Sequence, residues 1–461
     1  MQMTTKNNNI GYILLNIVIF ISIIITPFFR IDGGVSDDTF NYVKIAYHLP
    51  DLISSVFPVG YPLFIKLGYL FSNDYYISTR IIACVGYLFI VLFSFVKKFY
   101  FKETSLLMGL KIFTLFMFSY SETLFLPFFY LLIYLLFRFF KSDYKKKSLI
   151  FTISSLLVIL CTIRYSSIFI IGGFILMLGL QLIKKQKNFR LIKSLITIIL
   201  LAGVGISVFL SFNYYFTGGF VGENHRNSSN YSNIGTSGFI IKNIFFSFLN
   251  AMNPILNAIR INFLTFIISV LISLTSFIVV TFLLFKLIKE KQLDLFRMML
   301  LYVSFSIFIG LIYSSFTTGI DGLHIRLSLP VYFCIYFVLL ISYSGKRFLF
   351  PIVLLSLTVN MLVVYFESFN YLEKRENVKE YVLKSKKGKY YFNDIGQIPT
   401  ESGGTKTSNF FTVFSLNPEV KVLTIEQYES MERDSILLES DLVNIMPINR
   451  TEMINNKTFT K

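Results

Sequence analysis

Apolar runs of membrane-spanning length recur along most of this chain, separated by short polar gaps. A helix needs about 20 apolar residues to cross the hydrocarbon core of a bilayer. By this criterion the pattern predicts about eleven transmembrane helices before residue 367, so the chain is a polytopic membrane protein. The predicted spans are residues 10–28, 77–96, 106–120, 123–140, 148–163, 166–183, 191–211, 260–285, 298–314, 328–343 and 348–366.

The first apolar run has some features of a signal peptide. It is longer than the usual apolar region of such a peptide, and no cleavage site of small residues follows it. We therefore expect residues 10–28 to form an uncleaved first helix.

Lysine and arginine clusters occupy every second gap between the predicted spans. Cytoplasmic loops of membrane proteins carry an excess of these residues, so the pattern predicts a cytoplasmic N-terminus and an external C-terminal tail. The clusters are Lys97, Lys98 and Lys102; Lys141 with residues 145–147; Lys184, Lys185, Lys187 and Arg190; Lys286, Lys289 and Lys291; and Lys346 with Arg347.

Three long segments then fall on the external side: a loop over about residues 30–76, a loop over about 212–258, and the tail 367–461. Two apolar stretches in the tail, 389–394 and 420–425, read as β-strands. The predicted fold is therefore an all-α polytopic transmembrane bundle over residues 1–366, with a small α/β extracytoplasmic domain over residues 367–461.

Composition agrees with a membrane protein and excludes several other classes. Hydrophobic residues make up 54% of the 461 residues and charged residues only 15%, which rules out an ordinary soluble globule. The net charge of +17 comes from clusters between apolar segments, so it indicates topology and no nucleic-acid partner. The three cysteines, Cys84, Cys161 and Cys334, lie inside apolar segments without metal-ligand spacing and read as small core residues.

Polar residues next to the predicted spans gather on the external side. Asp37 and Asp38 directly follow the first span, and a carboxylate beside hydrocarbon is costly, so such residues are functional candidates. All three histidines, His48, His225 and His324, fall on this side as well. We predict Asp37 and Asp38 as catalytic residues, no metal ligands, and substrate contacts from Lys44, Tyr61, Arg80, Glu122, Arg164, His225, Arg226, His324 and Arg326.

Several of these residues also have a purely structural interpretation. Arg80 suits an anchor at the membrane interface, Glu122 suits the start of a helix, and Asp37 suits the cap of the amphipathic run that follows it. A cap needs only one carboxylate, however, so the second acid and the cations on the same side favour a binding site. Lys111 lies within a predicted span, and the sequence does not explain it.

Acids that face several arginines suit a substrate with a phosphate and a reactive hydroxyl or amine. A carboxylate can accept the proton of the nucleophile, and the planar arginine fork pairs with phosphate. The chain has no Gly-rich nucleotide loop, no G-x-S-x-G, no H-E-x-x-H and no paired C-x-x-C motif. The phosphate donor is therefore expected to be carried by a lipid.

With these features the chain resembles the GT-C superfamily of polytopic membrane glycosyltransferases, which includes protein O-mannosyltransferases and aminoarabinose transferases. The resemblance rests on the order of the elements and on short motifs. The motifs are SDDTFNY at 36–42, FPVGYPL at 57–63, SYSE at 119–122, TIRY at 162–165, residues 213–218, and HIRL at 324–327 followed by Pro330.

The resemblance implies an inverting transfer of a sugar from a polyprenyl-phosphate donor to an envelope lipid, glycan or protein, at the outer face of a bacterial cytoplasmic membrane. It implies that Asp37 or Asp38, with the first acid favoured, is the base and that Arg164 and Arg326 bind phosphate. The sequence requires no cofactor, although Mg²⁺ or Mn²⁺ is compatible with it. An envelope lipid transporter or flippase and a polysaccharide polymerase are the alternatives.

Overall fold

The fold is a bundle of apolar α-helices followed by a short parallel sheet. A computed structural model of the protein describes residues 9–30, 33–35, 37–142, 144, 146–183, 188–222, 249, 252–255, 263–317, 325–343, 345–346, 349–365, 371–373, 375–376, 390–393, 415–416, 421–424 and 443–444. The α-helices are α1 Ile10–Phe29, α2 Asp37–His48, α3 Gly60–Ser72, α4 Tyr75–Val96, α5 Phe101–Gly109, α6 Glu122–Lys141, α7 Lys147–Ile163, α8 Phe169–Ile183, α9 Phe189–Thr217, α10 Phe263–Lys289, α11 Leu295–Thr317, α12 Ile325–Tyr343 and α13 Leu349–Tyr365. Two 3-10 helices, Lys111–Met117 and Tyr165–Ile168, and three strands, β1 Tyr390–Asn393, β2 Lys421–Thr424 and β3 Val443–Asn444, complete the described elements.

Many of these helices have the length and composition of membrane spans. Within the described ranges, eight helices are long and apolar enough to cross a bilayer, and two more, Lys147–Ile163 and Leu349–Leu362, are apolar but shorter. Each predicted span except 106–120 coincides with one of these helices. The structure thus confirms a multi-pass helical bundle, while the total of eleven spans stays a prediction.

Local sequence signals explain where several helices begin and end. The side chain of Asp74 accepts a hydrogen bond from the backbone N–H of Ile77 and so caps α4, and Asn188 caps α9 in the same way through Leu191. Helix α6 carries Glu122 in its first turn and Lys141 in its last, charges that complement the helix dipole.

The predicted span 106–120 is a broken crossing. Its residues lie in α5 and in the 3-10 helix Lys111–Met117, with an extended residue, Leu110, at the break. The ring of Phe99, just before α5, lies 5.1 Å from that of Phe137 near the end of α6. At the other end, the carbonyl of Met117 accepts a hydrogen bond from Arg80 near the start of α4. The segment therefore runs from one end of the bundle to the other, although it is not one continuous helix.

Lys111 lies at the start of this 3-10 helix and is buried. Its ammonium nitrogen lies 5.2 Å from the centre of the Tyr332 ring. A cation over an aromatic face is stabilised by the ring quadrupole, and the effect grows when water is excluded. This contact partly accounts for a lysine that the sequence left unexplained.

The described parts of the two ranges predicted as external loops contain more helical structure and more buried contacts than expected. The first, 30–76, contains α2 and α3, of which only the amphipathic α2 was foreseen. In the second, 212–258, helix α9 continues to Thr217, and residues 252–255 lie among the helices. The Tyr336 hydroxyl donates to the carbonyl of Met252, and the Asn360 amide donates to that of Ile255, both over 2.6 Å. This part of the predicted loop is buried because helix side chains satisfy its carbonyl groups.

The tail contains the two strands predicted from sequence. β1 and β2 occupy the predicted stretches and pair in parallel, with Tyr390 opposite Lys421, and β3 pairs with the other edge of β1. The connections 394–420 and 425–442 are both longer than the roughly twelve residues that a parallel crossover needs. A complete α/β domain stays a prediction because most of residues 367–461 lie outside the described ranges.

The start of the tail contacts the first loop. Arg375 forms a salt bridge with Asp74 and a 2.7 Å hydrogen bond with Ser415. The fully buried Tyr371 packs against Tyr76 with ring centres 5.1 Å apart. These contacts put the first loop and the beginning of the tail at the same end of the bundle.

The predicted topology can be tested with reporter fusions on the two sides of the membrane. A reporter fused after residue 366 should score as external, and one fused near Lys145 should score as cytoplasmic, because lysine clusters stay inside. Paired alkaline phosphatase and fluorescent protein fusions would measure this. An identical score for both positions would contradict the predicted orientation.

Candidate active site

The acidic loop is held against the segment that precedes α6. The backbone N–H of Ser119 donates to the carbonyl of Gly34 over 2.7 Å, and the Thr39 hydroxyl donates to the carbonyl of Ser119 over 2.9 Å. Gly34 has a φ of +79°, and a Cβ at this position would lie 2.3 Å from the Met117 carbonyl oxygen. Only glycine fits here. The loop is thereby fixed with the start of α2 beside the start of α6.

Four charged side chains from four helical elements meet at this point. The carboxylate of Glu122 is fully buried, and one of its oxygens lies 2.7 Å from Arg164 and 3.3 Å from Arg326. A second nitrogen of Arg326 forms a short salt bridge with Asp38. The order of contacts is therefore Arg164, Glu122, Arg326, Asp38, and we call these residues the charged cluster.

The secondary structure explains why these residues converge. Glu122 is the first residue of α6, Arg164 directly follows α7, and Asp38 and Arg326 are the second residues of α2 and α12. Each lies at the end of a helix, at the same end of the bundle. A buried carboxylate is tolerated only when it is paired, and the two arginines supply that pairing.

Aromatic and hydroxyl groups hold the charged cluster in place. The guanidinium carbon of Arg326 lies 4.0 Å from the centre of the Tyr120 ring, in a cation–π contact. The hydroxyl of Tyr42 donates to Ser121, which in turn lies 3.4 Å from the second oxygen of Glu122. Burial, together with the negative charges of Asp38 and Glu122, raises the pKa of Tyr42, so this phenol stays protonated and remains a donor.

A cavity of about 290 Å³ opens beside the charged cluster. Asp38, Arg164 and Arg326 line one part of it, together with the hydroxyl-bearing residues Tyr42 and Tyr165. The rest of its wall is largely apolar and comes from Phe57, Pro58, Ile163, Ile168, Phe169, Leu210, Val221, Leu311 and Leu327. Such a cavity suits a ligand with an anionic group joined to an apolar body.

The Pro-rich stretch of the first loop forms part of the cavity and is braced from two sides. The Tyr165 hydroxyl donates to the carbonyl of Ser55 over 2.8 Å and accepts from the Asn213 amide over 2.9 Å. Gly60 allows α3 to approach α7, since a Cβ there would lie 2.6 Å from the carbonyl oxygen of Thr162. This close approach brings the FPVGYP stretch next to Arg164.

The structure brings together Asp38, Glu122, Arg164 and Arg326 among the predicted site residues, but it separates three others from them. Lys44 is exposed on α2 and does not line the cavity. Tyr61 is fully buried and packs edge-on against Tyr42, with ring centres 5.0 Å apart. Arg80 donates to the carbonyls of Met117 and Ile23, at 2.8 and 2.6 Å, so its position is that of a structural residue at the broken crossing.

The remaining predicted residues fall outside the described structure. Asp37 begins α2, but its side chain is not described, and His225, Arg226 and His324 lie outside the described ranges. Tyr42, Tyr120, Ser121 and Tyr165 lie within the motifs quoted from the sequence, but they were not predicted as site residues. Only Tyr42 carried a usable signal, because it lies four residues after Asp38 and so shares its helix face.

The described part of the chain contains no group of three or more His, Cys, Asp or Glu side chains that could hold a metal ion. Asp32, Asp321 and His324 lie outside that part, so the prediction of a metal-free site stays a prediction.

Comparison of the chain with protein-family models gave no match, and comparison with curated proteins gave none either. The resemblance to GT-C glycosyltransferases therefore rests on the short motifs and on the element order.

Glu122 should be required for stability. Glu122→Gln leaves the buried Arg164 and the partly buried Arg326 opposite a neutral side chain, and breaking the buried pair with Arg164 costs about 3–5 kcal/mol. The matched control is Glu290→Gln, which breaks an exposed pair with Lys286 at 3.8 Å and should cost about 1 kcal/mol or less. Unfolding of both variants in detergent micelles would measure the difference. Equal stability of the two variants would show that the charged cluster does not hold the helix ends together.

Proposed function

We propose that this protein is a membrane glycosyltransferase of the GT-C type, which moves a sugar from a polyprenyl-phosphate donor to an acceptor of the cell envelope. The observation that carries the proposal is the cavity in which Asp38, Arg164 and Arg326 meet a largely apolar wall. The apolar wall suits a prenyl chain, the arginines suit its phosphate, and the carboxylate suits proton transfer. In this proposal the site faces the outside of a bacterial cytoplasmic membrane, as the lysine clusters predict.

The proposed reaction is an inverting displacement at the anomeric carbon of the sugar. The bond between this carbon and the phosphate oxygen breaks, and its electron pair leaves with the prenyl phosphate. The acceptor oxygen or nitrogen forms the new bond on the opposite face, and its proton passes to Asp37 or Asp38. Arg164 and Arg326 stabilise the charge that develops on the departing phosphate.

The salt bridge between Arg326 and Asp38 implies that the donor binds before the proton of the acceptor is transferred. Arg326 holds one carboxylate oxygen of Asp38, so this oxygen is not free to contact an acceptor. A donor phosphate at Arg326 would compete for the same N–H groups. The carboxylate oxygen of Asp38 is then released toward the acceptor, so binding of the donor prepares the base.

Glu122 has a different role in this scheme. Its carboxylate forms a salt bridge with one edge of each guanidinium group, of Arg164 and of Arg326. The ring of Tyr120 stacks against the guanidinium group of Arg326. The N–H groups of both arginines that have no partner among the described residues then point in a fixed direction when the donor arrives. Groups that are held in this way need not reorganise during the reaction.

The acids provide the test of the proposal. Asp38→Asn and Asp37→Asn keep the size of the side chain, and asparagine is tolerated at the start of a helix, but neither variant side chain can accept a proton. Loss of the general base should lower turnover about 100-fold or more, while the amount of folded protein should stay the same. Mass spectrometry of envelope glycolipids and glycoproteins, in a deletion strain that carries each variant, would measure this.

The matched control is Asp51→Asn, an exposed acid in the same loop, directly after α2 and its turn. This variant should restore glycosylation fully. The proposal fails if the double variant Asp37→Asn and Asp38→Asn also restores it fully, because a chain without either acid would then still catalyse the transfer.

A further inference from the structure

A second, larger cavity lies between α10, α11 and α12 and shares no lining residue with the first. Its volume is about 870 Å³, within the range of ligand sites in proteins, and its wall is almost entirely apolar. The lining residues are Phe277, Thr281, Leu284, Ile288, Lys291, Leu293, Met298, Leu301, Tyr302, Ser304, Phe305, Phe308, Val331 and Ile335.

The cavity is open to lipid because α10 packs loosely. Of the candidate spans, α10 has the smallest buried share, with 17% of its most apolar window buried against 67% for α6. Phe305 on α11 lines the cavity and is still 55% exposed. The space is therefore a lateral groove that faces the bilayer rather than a closed void.

The groove has the depth of a single leaflet. Its α10 wall is formed by Phe277, Thr281, Leu284 and Ile288, which lie on one helix face and end next to Lys291. This wall covers a rise of about 16 Å, about half of the roughly 30 Å hydrocarbon core. The groove thus begins at the lysine-rich end of the bundle and ends near the middle of the membrane.

The mouth of the groove carries a cation that is available to a ligand. Lys286 pairs with Glu290 at 3.8 Å, and Arg297 pairs with Asp294 at 3.5 Å. Lys291 lines the groove, is exposed, and has no ion pair within the described ranges. Basic pockets between transmembrane helices at the cytoplasmic side are suited to anionic lipid head groups.

We propose that this groove binds one anionic glycerophospholipid from the leaflet at the lysine-rich end. The phosphate of its head group lies at Lys291, and one acyl chain lies along the face from Ile288 to Phe277. The depth of the groove favours this occupant over a polyprenyl phosphate, because a polyprenyl chain is longer than one leaflet is thick. The site is independent of the proposed transfer reaction and lies at the opposite end of the bundle.

The absence of tryptophan from this chain allows a direct test. In Phe305→Trp a single reporter lines the groove. In Phe282→Trp the reporter lies on α10, is similarly exposed at 63%, and does not line the groove. Each full-length variant is reconstituted into vesicles of phosphatidylcholine and phosphatidylglycerol at a fixed ratio, with bromine on the acyl chains of one lipid at a time. Bromine quenches the fluorescence of a tryptophan that it contacts.

Phosphatidylglycerol should be enriched at the groove by about fivefold, the preference that one cation at a membrane surface provides. Brominated phosphatidylglycerol should therefore quench Phe305→Trp more than brominated phosphatidylcholine does. The two lipids should quench Phe282→Trp in proportion to their abundance. Equal quenching of Phe305→Trp by both lipids would mean that the groove holds bulk lipid, and the proposal would be wrong.

Variants at the mouth of the groove separate a lipid site from a general charge effect. Lys291 has a positive φ of 51°, a conformation that asparagine tolerates, so Lys291→Asn removes the charge and keeps the turn. This change should abolish the preference for phosphatidylglycerol. Lys289→Gln, which removes a neighbouring charge outside the groove, should retain most of it. Retention of the preference in Lys291→Asn would overturn the assignment of the head-group contact.

Discussion

The contact on which the candidate site depends is the sharing of one buried carboxylate by two arginines. Glu122 has no exposed surface, and its charge is tolerated in this position only because Arg164 and Arg326 lie at 2.7 and 3.3 Å. The three residues come from the ends of three different helices. Their pairing therefore fixes the relative positions of α6, α7 and α12, and it also directs Arg326 toward Asp38.

The bilayer imposes a second constraint, which explains the broken crossing at residues 101–117. Backbone groups without partners are costly away from water, and a break between α5 and the 3-10 helix frees carbonyl groups. At the break, the backbone N–H of Lys111 donates to the carbonyl of Pro254 over 3.4 Å, and at the end of the 3-10 helix Arg80 donates to the carbonyl of Met117. Every residue of the 3-10 helix is buried. Groups from outside the segment thus supply some of the hydrogen bonds that a continuous helix would make. The break also sets the position of residues 117–122, against which the acidic loop is fixed.

The sequence predicted the helical bundle and much of the charged cluster, because both follow from the cost of polar groups in hydrocarbon. Asp38, Glu122, Arg164 and Arg326 were selected as charges beside apolar spans. The same criterion selected Arg80, since charge alone does not reveal whether a guanidinium group faces a ligand or backbone carbonyls. Tyr42 and Tyr120 were not selected as site residues because aromatic residues form 18% of the chain and do not stand out. The break in the third predicted span was not predicted because the apolar run continues on both sides of it, and Lys111, the charged residue next to the break, was left without an interpretation.

We propose that Arg164 and Arg326 bind a lipid phosphate that releases Asp38 from its salt bridge. The most direct measurement is an electron cryomicroscopy structure of the full chain with a saturating prenyl phosphate. We expect phosphate density in contact with both guanidinium groups, the prenyl chain along Phe57 and Leu311, and a broken contact between Arg326 and Asp38. A structure in which the phosphate binds elsewhere, with that salt bridge intact, would contradict the proposal.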